Sequence, residues 1–234
     1  MEFPRTYIDE SENLIKNFSA SLVIPKPSDK SIQTGTTIIA MVSADKKIGI
    51  LASDGRVSGM PLIFDEEFNK VFDCRIGFFA GAGDLGLIQQ IVPSFRLALN
   101  NICDGRGETV SASGASRHLM HYYRTAAAQY IKQGMQPMIA FLVLFWDKDE
   151  KKIHLYQLEG MAFMPRKKFA SIGSGSGFVE GQIMVDEIIP ETKEEMIEKA
   201  KTMIQKVSKK DSATNSRMYY GLIQDGKYTL KEEV

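Results

Sequence analysis

Gly35-Thr36-Thr37 is one place in the chain where chemistry could begin. A threonine hydroxyl is a weak nucleophile unless a base sits beside it. Cleavage after Gly35 would make Thr36 an N-terminal residue. Its α-amine would titrate at about 7.7–8, against about 10.4 for a lysine, so much of it would be neutral at working pH. Nucleophile and base would then share one residue. Taken alone, the tripeptide reads equally well as the start of a strand. Other residues of suitable type lie downstream: Asp54 and Arg56 in Ser53-Asp54-Gly55-Arg56, Lys70 in Phe68-Asn69-Lys70-Val71-Phe72, the small-residue loop from Ser171 to Gly177, and Asp211-Ser212-Ala213-Thr214-Asn215. Each has a plainer reading by itself. Asp54 is a turn residue, Lys70 an outward strand lysine, the small-residue loop a flexible turn and Asp211 a helix stop.

A second motif competes for attention. Gly81-Ala82-Gly83-Asp84-Leu85-Gly86 matches G-x-G-x-x-G, comes after the apolar run Ile76–Ala80 and opens a helical stretch, with Asp104 downstream. A dinucleotide site needs a buried parallel strand after that helix, ending at the acidic residue. The chain instead continues with Asn100 to Gly107, a polar glycine-rich stretch that reads as a loop. A glycine turn into a helix fits better, with the glycines baring backbone N–H groups.

The elements that must position these residues are legible from hydrophobic period. Thr36–Val42 and Ile48–Ala52 read as a hairpin around Asp45-Lys46-Lys47, and Phe68–Phe72 and Arg75–Ala80 as short strands. Leu85–Asn100 has helical spacing with Pro93 as a possible kink, and Ser111–Gln133 is a longer helix. Met138–Phe145 and Ile153–Leu158 are strands joined by a charged turn, and Gly160–Phe169 adds further strand. Gly177–Ile188 and Thr192–Ser208 are helices, and Arg217–Gln224 and Lys227–Leu230 close as a hairpin around Asp225-Gly226. Strands, two helices, strands, two helices, strands: this order predicts antiparallel sheets with helices packed outside them. Residues 1–35 differ in character, with a possible short helix over Tyr7–Phe18 and then Pro25, Pro27 and polar residues, and read as a loosely held leader.

Composition narrows the classes. Lys plus Arg and Asp plus Glu are both 29, so the formal net charge is zero, which argues against a nucleic-acid binder held by phosphate neutralisation. Two cysteines and three histidines, with no histidine near either cysteine in sequence, offer no zinc-ligand spacing, so no metal and no cofactor is expected. Without a secretory signal the cysteines read as reduced thiols of a cytoplasmic protein. The longest apolar run, Met138–Trp146, is nine residues, too short to span a bilayer as a helix.

Taken together, the residues resemble the β-type subunits of the proteasome, members of the N-terminal-nucleophile hydrolases. The markers occur in order: Gly35-Thr36-Thr37, Asp54-Gly55-Arg56, Lys70, Ala80-Gly81, Gly173-Ser174-Gly175-Ser176, and the Asp211 loop. The resemblance covers about residues 35–230. It implies an α+β fold, a four-layer αββα sandwich of two antiparallel sheets with helices outside. It implies a propeptide over residues 1–35 and a single peptidase domain over 36–234. Thr36 resembles the nucleophile, Lys70 the lysine that lowers its proton affinity, and Asp54 the partner of that lysine. Ser174, Asp211 and Thr214 match the supporting hydrogen-bond network, and the Gly81 N–H the oxyanion-hole donor. Val57, Phe68, Phe72 and Phe79 match the specificity-pocket wall; none is charged, so cleavage after apolar residues is expected. Self-cleavage between Gly35 and Thr36 is the family route. Expected partners are other β-type subunits in a ring, α-type ring subunits, an ATP-dependent unfoldase and unfolded polypeptide substrates. The hairpin before Asp54 is slightly longer than the family pattern, the segment between Lys70 and Ala80 slightly shorter, and Thr214 stands where serine is usual. Two alternatives lie within reach of the same residues: a simpler bacterial ring peptidase, reminiscent in Ser53–Ser58, and a non-catalytic structural ring subunit. The 199 residues after Gly35 and the Asp211-to-Thr214 spacing favour the proteasomal branch.

Overall fold

The two central strands are apolar on both faces, and that property sets the architecture. A computed structural model describes residues 33–59, 62–106, 110–160, 162–186 and 188–233. In chain order its elements are β1 (Gln33–Thr34), β2 (Thr37–Val42), β3 (Ile48–Asp54), β4 (Val57–Gly59), β5 (Leu62–Asp65), β6 (Val71–Cys74), β7 (Gly77–Asp84), α1 (Leu85–Arg106) and α2 (Ala112–Lys132). They continue as β8 (Ile139–Asp147), β9 (Lys152–Glu159), β10 (Ala162–Arg166), β11 (Phe169–Gly173), α3 (Ser176–Asp186), α4 (Lys193–Ser208), β12 (Met218–Gln224) and β13 (Lys227–Glu233). The helix expected over Tyr7–Phe18 lies outside the described residues.

Side chains alternate across a strand, so a strand apolar at every position must be covered on both sides. In β2 and β3, Ile38, Ala40, Val42 and Leu51 face the second sheet, while Ile39, Met41, Ile50 and Ala52 face helices. The first sheet runs β11-β2-β3-β12-β13, with Ile39 opposite Ala52 and Leu222 opposite Ile50. The β12–β13 hairpin turns at Asp225 (φ 47°) and Gly226 (φ 75°), the left-handed pair that a two-residue turn of this hand requires. The second sheet runs β1-β7-β8-β9-β10, with β6 also on β7. Phe78, Leu142, Leu144 and Leu155 of this sheet meet the first. Phe79, Phe141, Val143 and Phe145 point instead to α1 and α2. α4 buries Met196, Ala200, Met203, Ile204 and Val207, a helical stripe, against the outer face of the first sheet. The layers are therefore helices, sheet, sheet, helices, an antiparallel α+β sandwich as expected.

Three local expectations are corrected and one hairpin is added. α1 carries Pro93 within it and does not stop at Asn100 but continues to Arg106, because Leu99 and Cys103 extend the apolar stripe of Ile88, Ile91 and Phe95 into the core. Gly81-Ala82-Gly83 is not a turn: β7 carries its ladder with β8 through Gly83 opposite Ile139, and the helix starts only at Leu85. Gly83 has φ 113°, and a Cβ there would overlap the Met138 carbonyl oxygen, so the glycine answers a close backbone approach. The small-residue stretch Ser171–Gly177 divides into the end of β11, a turn, and the start of α3. The β4–β5 hairpin, flanked by the Asp54 segment and Lys70, had no sequence reading.

Candidate active site

Asp54 ends β3 and sits beside the start of β2, because the β2–β3 register pairs Ile38 with Ser53. Its carboxylate is fully buried and holds five hydrogen bonds. Asp54 Oδ1 accepts from Lys70 Nζ at 2.7 Å, from the Thr37 backbone N at 2.9 Å and from the Thr36 hydroxyl at 3.3 Å. Asp54 Oδ2 accepts from the Arg56 backbone N at 2.8 Å and from that of Asn215 at 3.4 Å. Lys70 directly precedes β6 and, contrary to the outward reading of a strand lysine, its side chain is 4% exposed. A lysine this deep needs a partner, and an unpaired one would cost several kcal/mol. Burial pushes the Lys70 ammonium below the ordinary lysine range; the charge and hydrogen bond of Asp54 pull it back, helped by the charge of Asp211.

On the other side of Thr36 stands a chain of hydroxyls. The Thr36 backbone N donates to Ser174 Oγ at 3.1 Å, and Ser174 Oγ donates to Asp211 Oδ2 at 2.6 Å. Thr214 Oγ1 donates to the same Asp211 oxygen at 2.8 Å. A hydroxyl has one proton, so Thr214 accepts from Thr37 Oγ1, which lies 2.7 Å away. The glycines around Ser174 permit this approach. At Gly173 (φ 95°) a Cβ would overlap the Thr36 carbonyl oxygen, and at Gly175 it would overlap the Thr37 hydroxyl. The added methyl of Thr214 leaves its hydroxyl in the network.

The chain entering Thr36 is held by backbone pairing. Gln33 and Thr34 pair antiparallel with Asp84 and Gly83 of β7, and the Gly35 N–H donates to the Ser58 carbonyl at 3.2 Å. β6 covers residues 77–80 of that β7 edge and β1 covers 83–84, so Gly81 lies in the gap between them. A Cβ on Gly35 would overlap Ala213 Cβ, which gives the glycine before Thr36 a steric reason. Val57, Phe68, Lys70, Phe72, Gly81, Leu85 and Ile88 line a cavity of about 10 Å³, room for roughly one water. Phe79 is not on this wall. It is fully buried and packs edge-on against Phe95 at 5.1 Å, because its position on β7 faces the helices.

The model of the proteasome subunit family matches residues 32–223. The chain belongs to the proteasome subunit family. Its two antiparallel sheets with four helices among the described residues are the N-terminal-nucleophile hydrolase architecture of that family. Proteasome subunits assemble into multi-subunit rings with other subunits, and peptidase-type hydrolysis is the chemistry associated with the family.

Within this proteasome subunit, the residues singled out in the sequence at 36, 54, 70, 174, 211 and 214 meet in one hydrogen-bonded network. Sequence reasoning missed Leu85 and Ile88, whose helical period assigns them to the core, and Glu66, which carries no motif. Asn215 was visible only as a helix-stop residue, yet its amide reaches Asp54. For Glu66 the one usable signal is indirect: Arg56 of the Asp54-Gly55-Arg56 run is its partner.

Proposed function

We propose that this proteasome subunit is a β-type threonine endopeptidase that frees its own nucleophile by cleavage between Gly35 and Thr36. The observation that carries the reading is that the Thr36 hydroxyl and the Lys70 ammonium share one buried neighbour, Asp54 Oδ1. The hydroxyl of Thr36 attacks the Gly35 carbonyl carbon, the C–N bond to Thr36 breaks, and the proton given up by the hydroxyl ends on the leaving nitrogen, which departs as an amine. Water then hydrolyses the resulting ester, releasing the leader as a carboxylic acid. The freed amine serves as the base for later turnovers. It accepts the proton of the Thr36 hydroxyl, while the Lys70 cation beside it favours alkoxide character and disfavours protonation of the amine. The N–H of Gly81, in the gap of the β7 edge, stabilises the oxyanion of the tetrahedral intermediate. Loss of such a donor costs about 2.7–4 kcal/mol. Ser174, Asp211 and Thr214 hold the amine in place. The apolar wall of Val57, Phe68 and Phe72 favours apolar residues before the scissile bond, with Leu85 and Ile88 extending it.

The working form is a chambered ring of β-type subunits, stacked with α-type rings, in the cytoplasm. It takes unfolded chains from an ATP-dependent unfoldase. A non-catalytic ring role is disfavoured by the reactive groups that fill every position. The deciding experiment is Thr36→Ala, with intact mass and hydrolysis of a fluorogenic peptide as readouts. Assembled wild-type particles lose 35 residues from the subunit, whereas the variant keeps its leader and hydrolyses nothing. Normal processing in the variant would remove the nucleophile assignment.

A further inference from the structure

The two oxygens of Asp54 are held differently. Oδ1 meets the reactive groups, whereas among the described residues Oδ2 accepts only from two backbone amides, those of Arg56 and Asn215. These amides belong to segments far apart in sequence, the β3–β4 connection and the loop after α4. The side chains of both residues reach one carboxylate, Glu66, just beyond β5. Arg56 Nε donates to Glu66 Oε2 at 3.1 Å, and its NH2 nitrogen lies 3.0 Å from Glu66 Oε1, a two-pronged ion pair. Asn215 Nδ2 donates to Glu66 Oε2 and to the Glu66 carbonyl, each at 2.8 Å, while Asn215 Oδ1 accepts from the Gly55 N–H at 2.9 Å. A further Arg56 nitrogen donates to the Ser212 carbonyl, next to Asp211.

We propose that Glu66 is a positioning residue for the reaction: by tying Arg56 to Asn215 it locks the two amides that hold Asp54 Oδ2, which keeps Oδ1 on Lys70 and Thr36. The proposal rests on the reading of Thr36 as nucleophile. Glu66 touches no reacting atom. A carboxylate gripped at one oxygen by two amides cannot turn about its Cβ–Cγ bond without breaking both contacts. Without Glu66 the two segments keep only the Gly55–Asn215 hydrogen bond between them, so the grip on Oδ2 that fixes Oδ1 against Lys70 loosens. The Arg56 and Asn215 hydrogen bonds hold the Glu66 carboxyl below its ordinary value, so the clamp stays charged through neutral pH. The charged groups around Lys70 are Asp54 from β3, Asp211 from the loop after α4 and Arg56 from the β3–β4 connection. If Asp54 loosens, burial dominates and Lys70 gives up its proton at lower pH.

The test uses assembled particles carrying Glu66→Ala, Glu66→Gln and, as control, Thr36→Ala. Readouts are leader removal by intact mass, kcat and KM on a fluorogenic peptide, and the alkaline limb of the kcat–pH profile. Glu66→Ala should lower kcat on the order of tenfold with KM little changed, the scale expected of a misaligned reactive group. Its alkaline limb should move to lower pH. Glu66→Gln, which still offers an acceptor to Arg56 and Asn215, should recover most of kcat. Where the alanine variant does not assemble, Glu66→Asp takes its place, being too short to reach both partners and expected to lower the limb. An unmoved limb, or equal losses in alanine and glutamine variants, would overturn the proposal. Peptide hydrolysis persisting in Thr36→Ala would overturn the nucleophile reading itself, whatever the Glu66 variants do.

Discussion

Two ion pairs flank β6, and they could hardly differ more. Lys70–Asp54 lies just before it, with side chains 4% and 0% exposed. Arg75–Asp104 lies just after it, with side chains 40% and 59% exposed. Both join a basic residue near this strand to a carboxylate from another element. The outer pair is bathed in solvent and screened, and contributes about 0–1 kcal/mol at most. The inner pair is shielded from water and locked by five hydrogen bonds on one carboxylate. A charge performs chemistry only where its field is unscreened and its direction held, so only the inner pair can alter the reactivity of a neighbouring hydroxyl. The same logic makes the inner pair fragile: its stability depends on both members being present.

The sharpest way to break this contrast is Asp54→Ala. Lys70 would become a buried cation without its partner, a loss of about 3–5 kcal/mol by analogy with other broken buried pairs. Thermal melting should register a large drop, and peptide hydrolysis should vanish. Leader retention, seen by intact mass, should accompany it. A stable, active Asp54→Ala particle would mean that the pair is not the centre of the site.

Gly173→Ala attacks the same region through the backbone. Its φ of 95° and the Thr36 carbonyl in the path of a Cβ force either strain or a shift of the Ser174 turn. We expect about 1–3 kcal/mol of destabilisation by chemical denaturation. Leader removal should slow markedly, since Ser174 anchors the Thr36 nitrogen. Equal rates in variant and wild type would separate the turn from the chemistry.

Titration sharpens the contrast without altering a residue. Lys70 is pushed below the ordinary lysine range, chiefly by burial. The proposed mechanism requires a cation beside Thr36, so activity should fall on the alkaline side at a pH below that at which a free lysine titrates. Stability moves in the opposite sense. The unfolded chain binds the Lys70 proton more tightly, so between the lowered folded value and the ordinary one this group's contribution to stability rises with pH. A kcat–pH profile with no alkaline limb before pH 10.5, the ordinary lysine value, would contradict the assignment.

The smallest effect belongs to the outer pair. Arg75→Ala should change the melting temperature by little and leave leader removal and peptide hydrolysis at wild-type rates. A substantial loss of activity there would erase the distinction between the two pairs.

The strands and most helices were legible in the sequence because period-two and period-3.6 patterns are local properties. α2, α4 and the Asp225-Gly226 hairpin arise from such signals directly. Where the local signal and the packing disagree, the packing decided. Polar Asn100 and Asn101 and flexible Gly105 argue for a loop, yet Leu99 and Cys103 find a core to enter and the helix continues. Gly81 and Gly83 imitate a phosphate-binding turn, yet β8 offers a ladder and a close carbonyl, and they become strand. Phe79 looks like any other wall phenylalanine until the sheet assigns its side to the helices.

The amino-acid types and their order determined that a threonine after a glycine, a lysine and two aspartates were available, because such groups and their spacing are written in the chain itself. Which of them touch was decided by tertiary structure. β2, β3, the segment before β6, the Ser174 turn and the loop after α4 come from widely separated stretches, and only sheet register and burial bring them within hydrogen-bonding distance. The exclusion of water that turns Lys70 from a surface charge into the buried partner of Asp54 is likewise a property of the packed layers. No single segment carries it, because desolvation is produced by everything that surrounds a group.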